Sequence, residues 1–186
     1  HYHYFEIGGE NYCQLFNTWD LYRGQEFDPW ISKINHGIKN EDHYGKFSSQ
    51  YELNKRSFDS EEAYSGPRTF RAACNWIEEN HEAEDFFLMV EAFDPHEPFD
   101  CPKEYKELYN DNYEGPEFNW STYAPITESD EAVSHLKKCY AANLTMIDKW
   151  LGKFLDTLDK HNLWEDTLLI FTTDHGHLLG EHGLSL

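Results

Sequence analysis

Basic residues are scarce in this sequence: 15 Lys and Arg stand against 35 Asp and Glu, a formal net charge of -20. A phosphate backbone demands a basic footprint, so nucleic-acid binding is excluded as a function class. An anionic membrane surface is a poor partner for the same reason. If the substrate is an anion, attraction has to come from a local positive centre such as a metal ion. Cysteine is also sparse, with Cys13, Cys74, Cys101 and Cys139 scattered and no Cys-x-x-Cys pair, which argues against a zinc knuckle or a thioredoxin-type site. That spacing leaves the redox compartment open. No run of about 18 apolar residues exists to span a membrane. The opening "HYHYFEIGG" has neither an initiator Met nor a signal-peptide pattern, so the chain reads as an internal piece of something longer. No Gly-x-Gly-x-x-Gly or Gly-x-x-x-x-Gly-Lys loop is present to cradle phosphates, and no Gly-x-Ser-x-Gly elbow for acyl hydrolysis.

What is present is a strongly patterned second half. Val133, Leu136, Tyr140, Leu144, Ile147, Leu151, Leu155 and Leu158 recur at steps of three and four, predicting a long amphipathic helix from about residue 130 to 161, packed on a sheet. A second helix is expected over 67–80, with Pro67 in its first turn, and a short one around 102–109. "DFFLMVEAF" (85–93) and "TLLIFT" (167–172) are continuous apolar runs of strand length, the pattern of parallel strands covered on both faces. Helix, strand, long helix, strand makes a βαβ unit and an α/β fold. "HYHYF" and "TWDLYRG" read as short strands, with Gly8-Gly9 turning the chain between them. Residues 36–66 read as polar and mostly irregular. A chain of 186 residues suits a single domain.

In an open parallel sheet, ligands bind beyond the carboxyl ends of the strands. Both predicted strands end in chemically loaded loops, "FDPHEPFD" with Asp94, His96 and Asp100, and "TTDHGHLLGEHG". Parallel pairing would bring these loops to one edge. Asp174 and His175 offer a carboxylate and a neutral imidazole, a pair that suits a divalent cation. The alternative is that Asp174 caps a following helix while His175 faces solvent. His96 lies between prolines that hold an extended loop, although a lone loop histidine is commonly idle. His177 and His182 fit neither zinc-peptidase spacing and are read as support for the loop, with His182 assigned to substrate contact. The sequons at Asn119 and Asn143 are short enough to arise by chance.

The ending "LWEDTLLIFTTDHGHLLGEHG" resembles the C-terminal signature of sulfatases of the alkaline phosphatase superfamily. "FDPHEPFD" resembles their proline-flanked histidine loop, and "YCQLFNTWDLYRGQEFDPW" is similar to a stretch of the bacterial branch that includes phosphonate monoester hydrolases. The resemblance implies a three-layer α/β/α sandwich with a mainly parallel sheet, and hydrolysis of a small-molecule sulfate or phosphonate ester. It implies Asp174 and His175 as ligands of a divalent metal, calcium first, with manganese, magnesium or zinc as alternatives. It implies His96 as the histidine that binds the sulfate group and assists the leaving oxygen. The family's nucleophile is a formylglycine made in a Cys/Ser-x-Pro-x-Arg motif, which none of the cysteines or serines here begins. Formylglycine, the remaining metal ligands and a later lysine are therefore expected outside this chain. The chain is then the central part of a catalytic domain, with the remaining segments of the enzyme as its partners. A phosphonate monoester or phosphodiester hydrolase, and a non-catalytic binding module of the same fold, are the alternatives.

Overall fold

The computed structural model describes residues 11–40 and 42–185, and orders four α-helices along them: α1 (Ser49–Lys55), α2 (Ser65–Asn80), α3 (Lys103–Glu107) and α4 (Asp130–Lys160). Two residue pairs form a minimal antiparallel sheet, β1 (Ala124–Pro125) with β2 (Leu184–Ser185), in the register Ala124 to Ser185 and Pro125 to Leu184. The long helix begins where chemistry favours it. Ser129 accepts the amide N–H of Ala132, Asp130 and Glu131 fill the first turn, and Lys160 lies in the last, all matching the helix dipole.

The buried face of α4 is rotated from the predicted stripe. Its centre is Leu136, Cys139, Ala142, Asn143, Met146, Trp150, Phe154 and Leu158, while Leu144 is exposed and Leu151 and Leu155 are only half-buried. Alanine, cysteine and asparagine do not register as apolar anchors in a periodicity, yet all three are buried here: Ala142 on the seam where α2 comes close, Cys139 against Phe99 and Phe118, and Asn143 against Asp94. Phe70, Ala73 and Ile77 of α2 pack there against Ala142, Met146, Ile147 and Trp150. Glu61 then pins the turn before α2 to this layer, accepting from Trp150 Nε1 at 2.6 Å, Lys149 Nζ at 2.9 Å and the Tyr105 hydroxyl at 2.9 Å.

The segments read as parallel strands are extended but belong to no ladder among the described residues, so the parallel sheet of a three-layer sandwich is not formed there. A strand needs a neighbour to receive its amides and carbonyls. Residues 86–92 lay alternate side chains on the helices: Phe86, Leu88, Val90 and Ala92 pack against the α2/α4 core. Phe87 (78 % exposed) and Met89 point the other way, and Leu168, Ile170 and Phe171 are likewise bare. "TWDLYRG" is irregular rather than a strand, and "HYHYF" with Gly8-Gly9 lies outside the described residues. Within 36–66, read as irregular, α1 forms because Ser48 accepts the amide of Tyr51 and Leu53 and Asn54 are buried beneath it. No helix among the described residues is long and apolar enough to cross a membrane.

Candidate functional site

The two loops singled out by the sequence meet. His96 stacks on Phe93 with ring centroids 4.3 Å apart, and its Nδ1 lies 2.9 Å from the Glu97 carbonyl. A carbonyl can only accept, so Nδ1 carries the hydrogen and Nε2 is left with its lone pair. From the other loop, His175 makes the same arrangement, Nδ1 lying 2.9 Å from the Gly176 carbonyl. Its Nε2 sits 3.8 Å from Asp174 Oδ2. The other carboxylate oxygen of Asp174 accepts the His175 amide at 2.9 Å, which holds this carboxyl below its ordinary range.

His177 joins the loops. Its ring meets His96 edge-on at 5.8 Å and His175 at 5.7 Å, and it rests against Phe99 and Tyr140. Burial lowers its affinity for a proton, a pull that neighbouring Glu97 opposes. Glu97 is 1 % exposed, with Oε2 3.3 Å from His96 Nδ1 and Oε1 3.6 Å from His177 Nδ1. Tyr123 donates its hydroxyl to Glu97 at 3.4 Å. Lys46 stands over the Tyr123 ring at 3.3 Å; burial pushes its ammonium down while Glu97 and Glu26 pull it up. Glu26 approaches His96 Nδ1 at 3.9 Å, in a loop held by buried Asn54, which donates to the Asp28 carbonyl at 2.8 Å.

Behind His96 lies Asp94. Burial pushes its carboxyl up to about 6, against the pull of the Asn143 amide that donates to it at 3.3 Å. It borders a cavity of about 20 Å³, shared with Gly24, Glu26, Tyr64, Phe93 and His96, which has room for about one water. Asp100 belongs elsewhere: it is buried in an ion-pair hub with Lys55 at 3.1 Å and Lys106 at 3.4 Å. His182 is exposed in a short turn, and among the described residues no hydrogen bond, ion pair or ring contact ties it to the imidazole cluster. Among the described residues no helix begins next to Asp174, the next being a 3-10 turn at Glu181–Gly183, so the capping alternative has no helix to cap. Both sequon asparagines, Asn119 and Asn143, are buried.

Of the residues gathered here, the sequence pattern singles out His96, Asp174 and His175 and passes over Glu97, Lys46, Tyr123 and the joining position of His177. The spacing His175-x-His177 in extended backbone, which turns both rings to one side, was the available signal for the last. Glu97 was visible as an acid beside His96 within the proline-flanked loop. Lys46 and Tyr123 carry no pattern of their own and reach the site through tertiary packing.

The donor set suits a hard or borderline divalent cation. Asp174 and His175 present a carboxylate and an imidazole Nε2 on the solvent side, 88 % and 60 % exposed, with the Nδ1 of His175 already engaged by a carbonyl as ligating histidines usually are.

Comparison with known proteins identifies the family. The sulfatase family model matches residues 8–186. A protein of Escherichia coli K12 described as an uncharacterized sulfatase, YidJ, is 31% identical over 132 residues, covering 63% of this chain and 26% of that protein. The choline-sulfatase of Rhizobium meliloti 1021 is 30% identical over 117 residues, covering 52% of this chain and 22% of that protein. The multifunctional alkaline phosphatase superfamily protein PehA of Trinickia caryophylli is 28% identical over 131 residues, covering 55% of this chain and 26% of that protein. The chain therefore spans about a quarter of the length of the curated relatives it matches.

Proposed function

We propose, from the premise that this chain belongs to the sulfatase family, that it supplies one side of the active site of a metal-dependent sulfuric ester hydrolase. The observation that carries the reading is the meeting of the two loops, which places His96 within one ring contact of His177 and His177 within one of His175.

In this reading Asp174 and His175 contribute two ligands to a divalent cation, calcium by preference, with further ligands and the formylglycine nucleophile supplied outside residues 1–186. When bound, the cation polarises the ester oxygens as a Lewis acid. His96 contacts the sulfate group and, when its Nε2 is protonated, gives that proton to the leaving oxygen. Glu97 keeps the His96 and His177 rings oriented and opposes the loss of proton affinity that burial imposes on His177. The small cavity behind His96 is too narrow for an ester, so the substrate enters from the exposed Asp174 side. The exposed imidazole of His182 is a substrate contact only for the part of the ester remote from sulfur.

The bare apolar side chains of Phe87, Met89, Leu168, Ile170 and Phe171 support the finer fold reading, in which 85–93 and 167–172 are strands of a mainly parallel sheet in an α/β/α sandwich completed outside the described residues.

The test is turnover of an aryl sulfate and of a phosphonate monoester by the intact enzyme, before and after chelation. Preference for the sulfate ester, loss on chelation, recovery with calcium and loss in Asp174→Ala are expected. A clear preference for the phosphonate would replace this reading with the phosphonate hydrolase one, for which the similarity to PehA speaks. No turnover of either ester would leave the non-catalytic binding module.

A further inference from the structure

We infer that Glu117, His135 and Cys139 form a binding site for a zinc-class divalent cation, a site that shares no residue with the candidate active site. His135 and Cys139 lie four apart on the first turns of α4 and so project from the same face. Glu117 comes from the preceding loop, and the three ligand atoms all lie within 4.8 Å of one another.

The histidine is prepared as a ligand. Asp111 Oδ2 takes its Nδ1 in a short hydrogen bond, and Tyr113 stacks on its ring at 4.6 Å. This fixes the ring with Nε2 3.8 Å from Glu117 Oε1, while Cys139 Sγ lies beside the ring, 3.5 Å from Nε2 and 4.0 Å from Nδ1. A carboxylate behind an imidazole is the usual support of a zinc-bound histidine. Tetrahedral zinc, with bonds of about 2.3 Å to sulfur and 2.0 Å to nitrogen, needs roughly 3.5 Å between these two donors and roughly 3.3 Å between nitrogen and oxygen. The first separation is matched in length, but the sulfur lies off the Nε2 lone-pair axis, so a bound cation requires Cys139 to turn about its χ1; the second needs a movement of about half an ångström, within reach of a Glu side chain.

Glu117 supplies an independent indication. Its Oε1 is buried and has no hydrogen-bond partner, although the rest of the side chain reaches solvent. Buried polar atoms are rarely left without a partner. Lys106 is its nearest cation at 3.5 Å, and Lys106 has Asp100 as a second partner at 3.4 Å, so it can release Glu117 without being stranded.

Charge balances. Without metal, the imidazolium of His135 offsets the Glu117 carboxylate and Cys139 is a thiol. A cation of charge +2 enters as two protons leave, one from His135 Nε2 and one from Cys139 Sγ. The ligands become thiolate, neutral imidazole and carboxylate, and the net charge of the cluster is unchanged. A thiolate and an imidazole select zinc or cobalt over calcium or magnesium. The solvent-reaching side of Glu117 leaves the fourth position to water, as in three-ligand zinc sites.

The test uses cobalt(II) as a spectroscopic probe on the intact protein. A thiolate-to-cobalt charge-transfer band is expected at one cobalt per chain, abolished by an equivalent of zinc. No cysteine lies among Asp174, His175, His96 and His177, so cobalt bound there gives no such band. Cys139→Ser should abolish the band, while Cys74→Ser and Cys101→Ser should keep it. Asp111→Asn should weaken cobalt binding by about 10- to 100-fold. Should Cys139→Ser fail to fold by circular dichroism, Glu117→Gln reads the same site from its solvent-reaching member, with affinity falling at least about tenfold. Absence of the band in the folded wild-type protein, or its survival in folded Cys139→Ser or unweakened in Glu117→Gln, overturns the site.

Discussion

His96 and His177 reach each other from loops 81 positions apart, rings edge to face at 5.8 Å, with the Glu97 carboxylate 3.3 Å from one Nδ1 and 3.6 Å from the other. One buried acid therefore serves two imidazoles. Burial lowers the proton affinity of His177 and Glu97 opposes that pull, so the state of this imidazole depends on its neighbour.

Glu97→Gln removes that charge while keeping the shape. The amide still accepts from Tyr123, so the fold should hold, both imidazoles should lose orientation and His177 should lose basicity. Turnover of the intact enzyme on an aryl sulfate is expected to fall by about 10- to 100-fold. Circular dichroism should be unchanged, which separates this effect from unfolding.

Gly66→Ala tests the close approach that brings α2 to the site. A Cβ there would stand 2.5 Å from Ile147 Cδ1 and 2.6 Å from Asp94 Oδ2. Overpacking of this kind costs about 1–3 kcal/mol. The loss should be read in the urea midpoint, and activity should fall with it because Asp94 lies two residues before His96.

Asp94 sets a pH dependence of stability. Its carboxyl binds a proton more tightly in the fold, at about 6, than in the free state at 3.8. The stabilisation is thus complete below the free value and is lost as pH rises through about 6, on the order of 3 kcal/mol in all. Denaturant unfolding should show this slope between the two values, and Asp94→Asn should flatten it.

Met146→Ala probes the helical layer. Met146 is fully buried between α2 and α4, and truncating such a side chain costs about 2–5 kcal/mol through lost burial and the cavity left behind. Thermal or urea unfolding measures it.

Helices α2, α3 and α4 were legible because their signals are local, whereas α1 was not. Pro67 near the start of α2 announces its helix in a few residues, and the three-and-four spacing carries through α4. The face of α4 was less so, since Ala142 is defined as core only by what α2 lays against it. Asn143 is buried because Asp94, 49 residues earlier, accepts its amide.

The chain's own sequence determined its acidity, its two long helices and the loops bearing His96 and Asp174–His175, because charge, helical period and proline or glycine punctuation act over neighbouring residues. Tertiary structure alone decided that Glu97 is shared between histidines, that Lys46 and Tyr123 reach it, and that His135-x-x-x-Cys139 faces Glu117. Each of these is a contact between groups far apart in the chain. Each depends on polar groups being paired where burial would otherwise penalise them, and no local pattern records that.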